Sequence, residues 1–149
     1  MPAGSDAYAP FRPRAARWVA WFLLVLIGVA VAALLVLSFT TMEGYGWADR
    51  ILTVAFAGAG AVIVYRQGTV VAIPSPEGLR VRNLFLSAEV TWAQVVAVTF
   101  GPGRPWVTLD LSDGDTLAVM AIQGADGEHA VREARRLAEL VRLSEPPDR

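Results

Sequence analysis

Cysteine and lysine are both absent from these 149 residues, and there is a single histidine, His129. Without cysteine neither a disulfide framework nor a thiolate metal site can form. The same absence fits any cellular compartment. Nucleophilic catalysis finds no cysteine, and no serine stands in a recognisable arrangement with the lone histidine. Nucleotide chemistry lacks a phosphate-cradling glycine loop followed by lysine; Gly101-Pro102-Gly103 has the glycines, but prolines follow it and no helix does. No cofactor and no metal is expected. All 13 basic residues are arginine, which with the abundant Ala, Gly and Val reads as the codon bias of a GC-rich genome.

Charge is missing in two long runs. Residues 18–42 carry none over 25 positions, and residues 51–65 carry none over 15. A helix needs about 20 apolar residues to cross the hydrocarbon core. The two runs therefore predict a transmembrane hairpin over 18–66, with spans at 18–40 and 47–66. Trp18 and Trp21 open the first span and Trp47 and Tyr65 bracket the second, as interfacial aromatic rings do. The first run is too long for a signal-peptide core, and Ser38-Phe39-Thr40-Thr41 makes a poor cleavage site. Gly28 with Ala32, and Ala57 to Ala61, offer small-residue faces on which the two helices could pack. No charge lies inside either span, so no transport path is marked.

Arginines near the span ends set the orientation. Arg12, Arg14 and Arg17 precede the first span; Arg66, Arg80 and Arg82 follow the second; the connecting loop has Arg50 against Glu43 and Asp49. Residues 1–17 are thus expected to be a cytoplasmic segment, with both termini and the following domain at the cytoplasmic face of the plasma membrane. Residues 67–149 hold eight Arg against eleven Asp plus Glu, a net of 8 − 11 = −3. Nucleic-acid binding, which needs a basic field, is excluded on that balance.

After Gln67 the period changes to that of strands. The runs 69–73, 78–83, 86–92, 95–100, 106–111 and 116–122 predict six or seven short antiparallel strands. Asp113-Gly114 between two alternating runs is the strongest hairpin signal. A helix follows, with Asp126 as its expected N-cap, Glu128 in the first turn, and an apolar stripe of Ala130, Ala134, Leu137, Ala138 and Val141. Glu128–Arg132 and Arg135–Glu139 are its expected i,i+4 pairs. The domain should span 68–143, with a disordered tail at 144–149.

Gly78-Leu79-Arg80-Val81-Arg82-Asn83, Val90-Thr91-Trp92, Val98-Thr99-Phe100-Gly101, Pro105-Trp106, Leu109, Leu111, Asp113-Gly114 and Ala121-Ile122-Gln123 together carry a resemblance. This pattern resembles the bacterial pleckstrin-homology-like (PH-like) family named after low molecular weight protein antigen 6. The resemblance covers nearly the whole chain. It implies a small actinobacterial membrane protein with two spans and one PH-like domain: bent antiparallel sheets capped by a C-terminal helix. It implies no chemistry.

Arg80 and Arg82 share a strand face, and with Arg66 they are the candidates for facing anionic lipid, each charge worth about 1 kcal/mol near such a surface. Trp92 and Trp106 read first as core residues; Trp106, after a Gly/Pro loop, is the candidate for facing a protein partner. Asp110, Asp113 and Asp115 sit in a loop too short for a calcium-binding helix-loop-helix and read as a surface turn. The expected function is a non-enzymatic, membrane-anchored interaction module holding a protein partner, or a second copy of itself. The alternative is an anionic-lipid sensor using Arg80 and Arg82.

Overall fold

A computed structural model describes residues 7–41 and 43–144. The chain forms two compact units, one of residues 16–68 and one that joins the N-terminal segment up to Ala15 with everything from Thr69 onward.

The first unit is the helical hairpin. Helix α1 (Ala15–Thr40) and helix α2 (Trp47–Gly68) are both long and apolar enough to cross a membrane. Arg50 latches them at the loop end. Its guanidinium donates to Ser38 Oγ (3.0 Å) and to the Ser38 carbonyl (2.7 Å), and lies 4.0 Å over the Phe39 ring. A cation is favoured there, because the last carbonyls of a helix carry partial negative charge. Asp49 does the reciprocal job at the start of α2, accepting from Gly46 N–H at 2.8 Å. At the other end Gly68 lies against Ala20, where an added Cβ would come within 2.6 Å of the alanine methyl. Around Gly28, Gly58 and Gly60 nothing lies within 4 Å of an added Cβ, so none of these glycines is a point of close approach.

The second unit is built on two three-stranded antiparallel sheets. The first holds β1 (Val71–Pro74), β2 (Gly78–Arg82) and β3 (Ser87–Thr91); the second holds β4 (Val95–Thr99), β5 (Trp106–Leu111) and β6 (Thr116–Gln123). Helix α3 (Glu128–Ser144) packs against β4 and β6. These bounds follow the sequence periodicity to within two residues at each end, save that Trp92 leaves the strand for a one-turn helix. The β5–β6 turn takes the form its Asp-Gly demanded. Gly114 has φ +90, and Asp113 accepts from Asp115 N–H at 3.0 Å. Gly78 is required for a different reason: a Cβ there would overlap the Val90 carbonyl and lie 2.8 Å from Thr91 Cα.

Strand alternation sends Leu79, Val81, Val107, Leu109 and Val119 into one core, closed from α3 by Ala130, Ala134, Leu137, Leu140 and Val141. The stripe of α3 thus includes Leu140, whereas Ala138 points to solvent. Leu137, Leu140 and Val141 sit at i, i+3 and i+4 of one face, and Ala138 is a further 100° round. Glu139 pairs with Arg142 (2.6 Å) rather than with Arg135. Glu128–Arg132 forms, loosely, at 3.8 Å.

The largest departure concerns the segment read as a basic flank. Phe11 and Pro13 are fully buried while Arg12 and Arg14 are exposed, the alternation of a strand. Phe11 bridges to Ala72 on the outer edge of β1. Arg136 of α3 lies 4.0 Å over the Phe11 ring and donates to the Ala9 carbonyl at 3.0 Å. Asp126, expected to cap α3, instead accepts from the N–H groups of Arg14 (2.9 Å) and Ala15 (2.7 Å). Its side chain is spent on the N-terminal segment, and Gly127, with φ +55, makes the bend into α3. Residues 1–6 lie outside the described residues, as does the expected tail except Ser144, which ends α3.

Candidate interaction surfaces

Register decides what the first sheet shows to the outside. Val71 stands opposite Arg82 and Ile73 opposite Arg80; across the next gap Arg80 faces Glu89 and Arg82 faces Ser87. Side chains on one rung share a face, so these residues line one outer surface. Arg12 joins them from the N-terminal segment, and together they surround a shallow cavity of about 440 Å³. Two of the three arginines are already engaged. Arg80 Nε donates to Glu89 at 2.5 Å, and Arg82 donates to the Thr69 carbonyl at 2.8 Å. Both partners of the Arg80–Glu89 pair are two-thirds exposed, so the pair itself adds little stability, roughly 0–1 kcal/mol. It does cancel one of the charges that an anionic headgroup would meet. Arg66 belongs to the last turn of α2, in the other unit. Arg12 was not placed on this face from the sequence, although the alternation Phe-Arg-Pro-Arg was present there.

The second surface is a groove of about 830 Å³ between the loop at 100–105 and the approach to α3. Phe100, Pro102, Pro105, Ala125 and Val131 give it a mainly apolar lining, and Arg104 stands on its wall. The loop is held by backbone bonds at both ends: Arg104 N–H to the Gly101 carbonyl (3.1 Å) and Gly124 N–H to the Pro105 carbonyl (2.8 Å).

Trp92 is buried, its indole N–H donating to the Ser75 carbonyl at 2.9 Å. Trp106 is half-buried, in alternation with the fully buried Val107 and Leu109, and does not line the groove that follows its loop. Asp110 accepts from Thr99 Oγ at 3.3 Å and is thereby separated in role from Asp113. His129 is half-buried in the first turn of α3. Among the described residues no group of three or more His, Asp or Glu is placed to hold a metal ion.

Two small antiparallel sheets closed by a C-terminal helix define a PH-like domain, carried behind two apolar helices. Residues 70–140 match the family model described as bacterial PH domain. The chain is similar to an uncharacterized protein of Mycobacterium bovis and to uncharacterized proteins of two strains of Mycobacterium tuberculosis. Each is 38% identical over 73 residues, which make up 49% of this chain and 46% of the relative. The matched region thus spans about half the length of those curated relatives. No solved structure matches the chain significantly.

Proposed function

We propose that this chain is a non-catalytic, membrane-anchored PH-like module that holds a protein partner, or a second copy of itself, at the inner face of the plasma membrane. The observation that carries this reading is the apolar groove beside α3, whose proline-rich wall is fixed by its own backbone bonds. Rigid apolar concavities of this kind accept side chains of a partner. The arginine distribution supports the cytoplasmic placement. The Phe11–Ala72 bridge supports the two flanks sharing one side of the membrane, since residues before α1 and after α2 pair with each other.

A photo-reactive amino acid at Val131 tests the reading in intact cells. One discrete protein should be joined at Val131 and not at Glu77, and Val131→Arg should lose the same protein in co-purification. No adduct at Val131, with the chain at normal abundance in the membrane fraction, would overturn it.

The grouping of Arg12 with Arg80 and Arg82 favours one second reading, attraction to anionic lipid. A chain with residues 16–68 replaced by a flexible linker would then float with anionic vesicles at low salt and lose them when all three arginines become alanine. No flotation would end that reading.

A further inference from the structure

The turn between β2 and β3 exposes two large apolar side chains, Phe85 (78%) and Leu86 (60%). The turn is closed by Asn83 N–H donating to the Leu86 carbonyl at 2.8 Å. It is also fastened from below. Asn83 is buried, its Nδ2 donates to the Ala118 carbonyl at 2.7 Å, and its Oδ1 accepts from Met120 N–H at 3.1 Å. Both bonds go to the backbone of β6, so the tip cannot fold back to hide its apolar residues. A rigid scaffold is presenting them, and contiguous exposed apolar groups of this sort mark a contact surface.

Register says where the tip lies. Val71, Arg82 and Ser87 form the last rung of the first sheet. The chain arriving from α2 enters β1 at this rung, and Arg82 donates to the carbonyl of Thr69, the residue directly after α2. The N-terminal segment pairs antiparallel to β1 at Phe11–Ala72, so Arg12, Pro13 and Arg14 run toward the same end before Ala15 begins α1. Both points at which the domain is joined to the apolar helices therefore share one end of the sheet with Phe85. At about 3.3 Å per residue, Phe85 projects about 7 Å beyond the Arg82 rung.

We propose that Phe85 and Leu86 enter the interfacial layer of the bilayer that α1 and α2 span, with Arg12, Arg14 and Arg82 against its anionic headgroups. The proposal rests on the membrane-anchored half of the reading above and does not depend on a protein partner. The occupant is the bilayer because the covalent joins bring this end of the sheet to the membrane surface. An aromatic ring flanked by arginines suits that layer.

The absence of cysteine makes the test direct. Full-length Phe85→Cys, Glu77→Cys and Val29→Cys chains are labelled with an environment-sensitive fluorophore and reconstituted into vesicles of phosphatidylcholine and phosphatidylglycerol. Nitroxide groups on the lipids serve as quenchers. Glu77 lies in the turn at the opposite end of the same sheet, and Val29 lies in α1. The expected result is several-fold stronger quenching by shallow nitroxides at Phe85 than at Glu77, with Val29 quenched by deep ones. Quenching at Val29 but no difference between Phe85 and Glu77 overturns the proposal and leaves the anchor intact. Failure at Val29 overturns the anchor and the proposal together. Shielding at Phe85 that rises with the protein-to-lipid ratio, without nitroxide quenching, means that a second copy covers the tip, and this too overturns it.

Discussion

Phe11 and Ala72 exchange both of their backbone hydrogen bonds, Phe11 N–H to the Ala72 carbonyl at 2.8 Å and Ala72 N–H to the Phe11 carbonyl at 3.1 Å. Both apolar helices lie between them in the chain. The core of the PH-like domain is therefore assembled from residues on either side of the hairpin, and the domain is not the contiguous 68–143 block that its strand pattern suggests.

Phe11→Ala should be among the most damaging single substitutions outside the contiguous block. Truncating a fully buried phenylalanine typically costs about 3–5 kcal/mol, and here the Arg136 guanidinium loses its ring as well. Denaturant titration in detergent, followed by the fluorescence of buried Trp92, measures the loss. Residues 69–144 alone should show a comparable weakness, relieved by a peptide of residues 7–15. Equal stability with and without that peptide would show that the bridge contributes nothing.

Asn83 permits a sharper substitution pair. Asn83→Ala strands the Ala118 carbonyl and the Met120 N–H, at about 1–3 kcal/mol for each buried group left unmatched. Asn83→Asp keeps the acceptor for Met120 but turns a carboxylate oxygen toward the Ala118 carbonyl, and should be the worse of the two at neutral pH. Thermal midpoints of the two variants check the order; the reverse order would mean that the Ala118 bond matters little.

Much of this was legible in the sequence, and the reasons are local. Residues 106–111 could be placed from alternation and the Asp-Gly turn alone, since both are properties of adjacent residues. The two long apolar helices were legible because 25 uncharged positions in a row have few other uses. Arg80 and Arg82 could be put on one face by counting in twos. Arg12 could not be added to them, because its place depends on a pairing with β1 across the whole hairpin. The Glu89 partner of Arg80 was equally hidden, being a matter of register between strands. Asp126 carried a helix-cap signature that a distant pair of N–H groups claimed instead. Four residues, Phe-Arg-Pro-Arg, are too short a run for alternation to outweigh the reading of a basic flank.

Topology follows from a thiol-free background. Glu77→Cys and Ser112→Cys, both on exposed turns, should resist a membrane-impermeant thiol reagent in intact cells and react after lysis. Reaction in intact cells would place the domain on the outer side and reverse the arginine-based orientation.

Glu139 provides a pH-dependent reporter on α3. The hydrogen bond from Arg142 holds its carboxyl below the ordinary glutamate value, against some desolvation and with the arginine's charge adding to the lowering. A carboxyl with a lowered folded-state pKa stabilises the fold above its unfolded pKa and loses that contribution as pH falls through the folded value. Both side chains are largely exposed, so the effect on stability is small and screened by salt. Carboxyl-carbon NMR titration should show a lowered midpoint that rises in Arg142→Ala. An unchanged midpoint would mean that the pair is not populated in solution.

The Phe11–Ala72 bridge also imposes an order on synthesis. Phe11 leaves the ribosome well before Ala72, and its partner strand does not exist until both helices have been made. If only one of the two helices crosses a bilayer, Phe11 and β1 are left on opposite sides and the finished domain keeps an unfilled hole beside Arg136. A complete core then requires that both helices cross or that neither does.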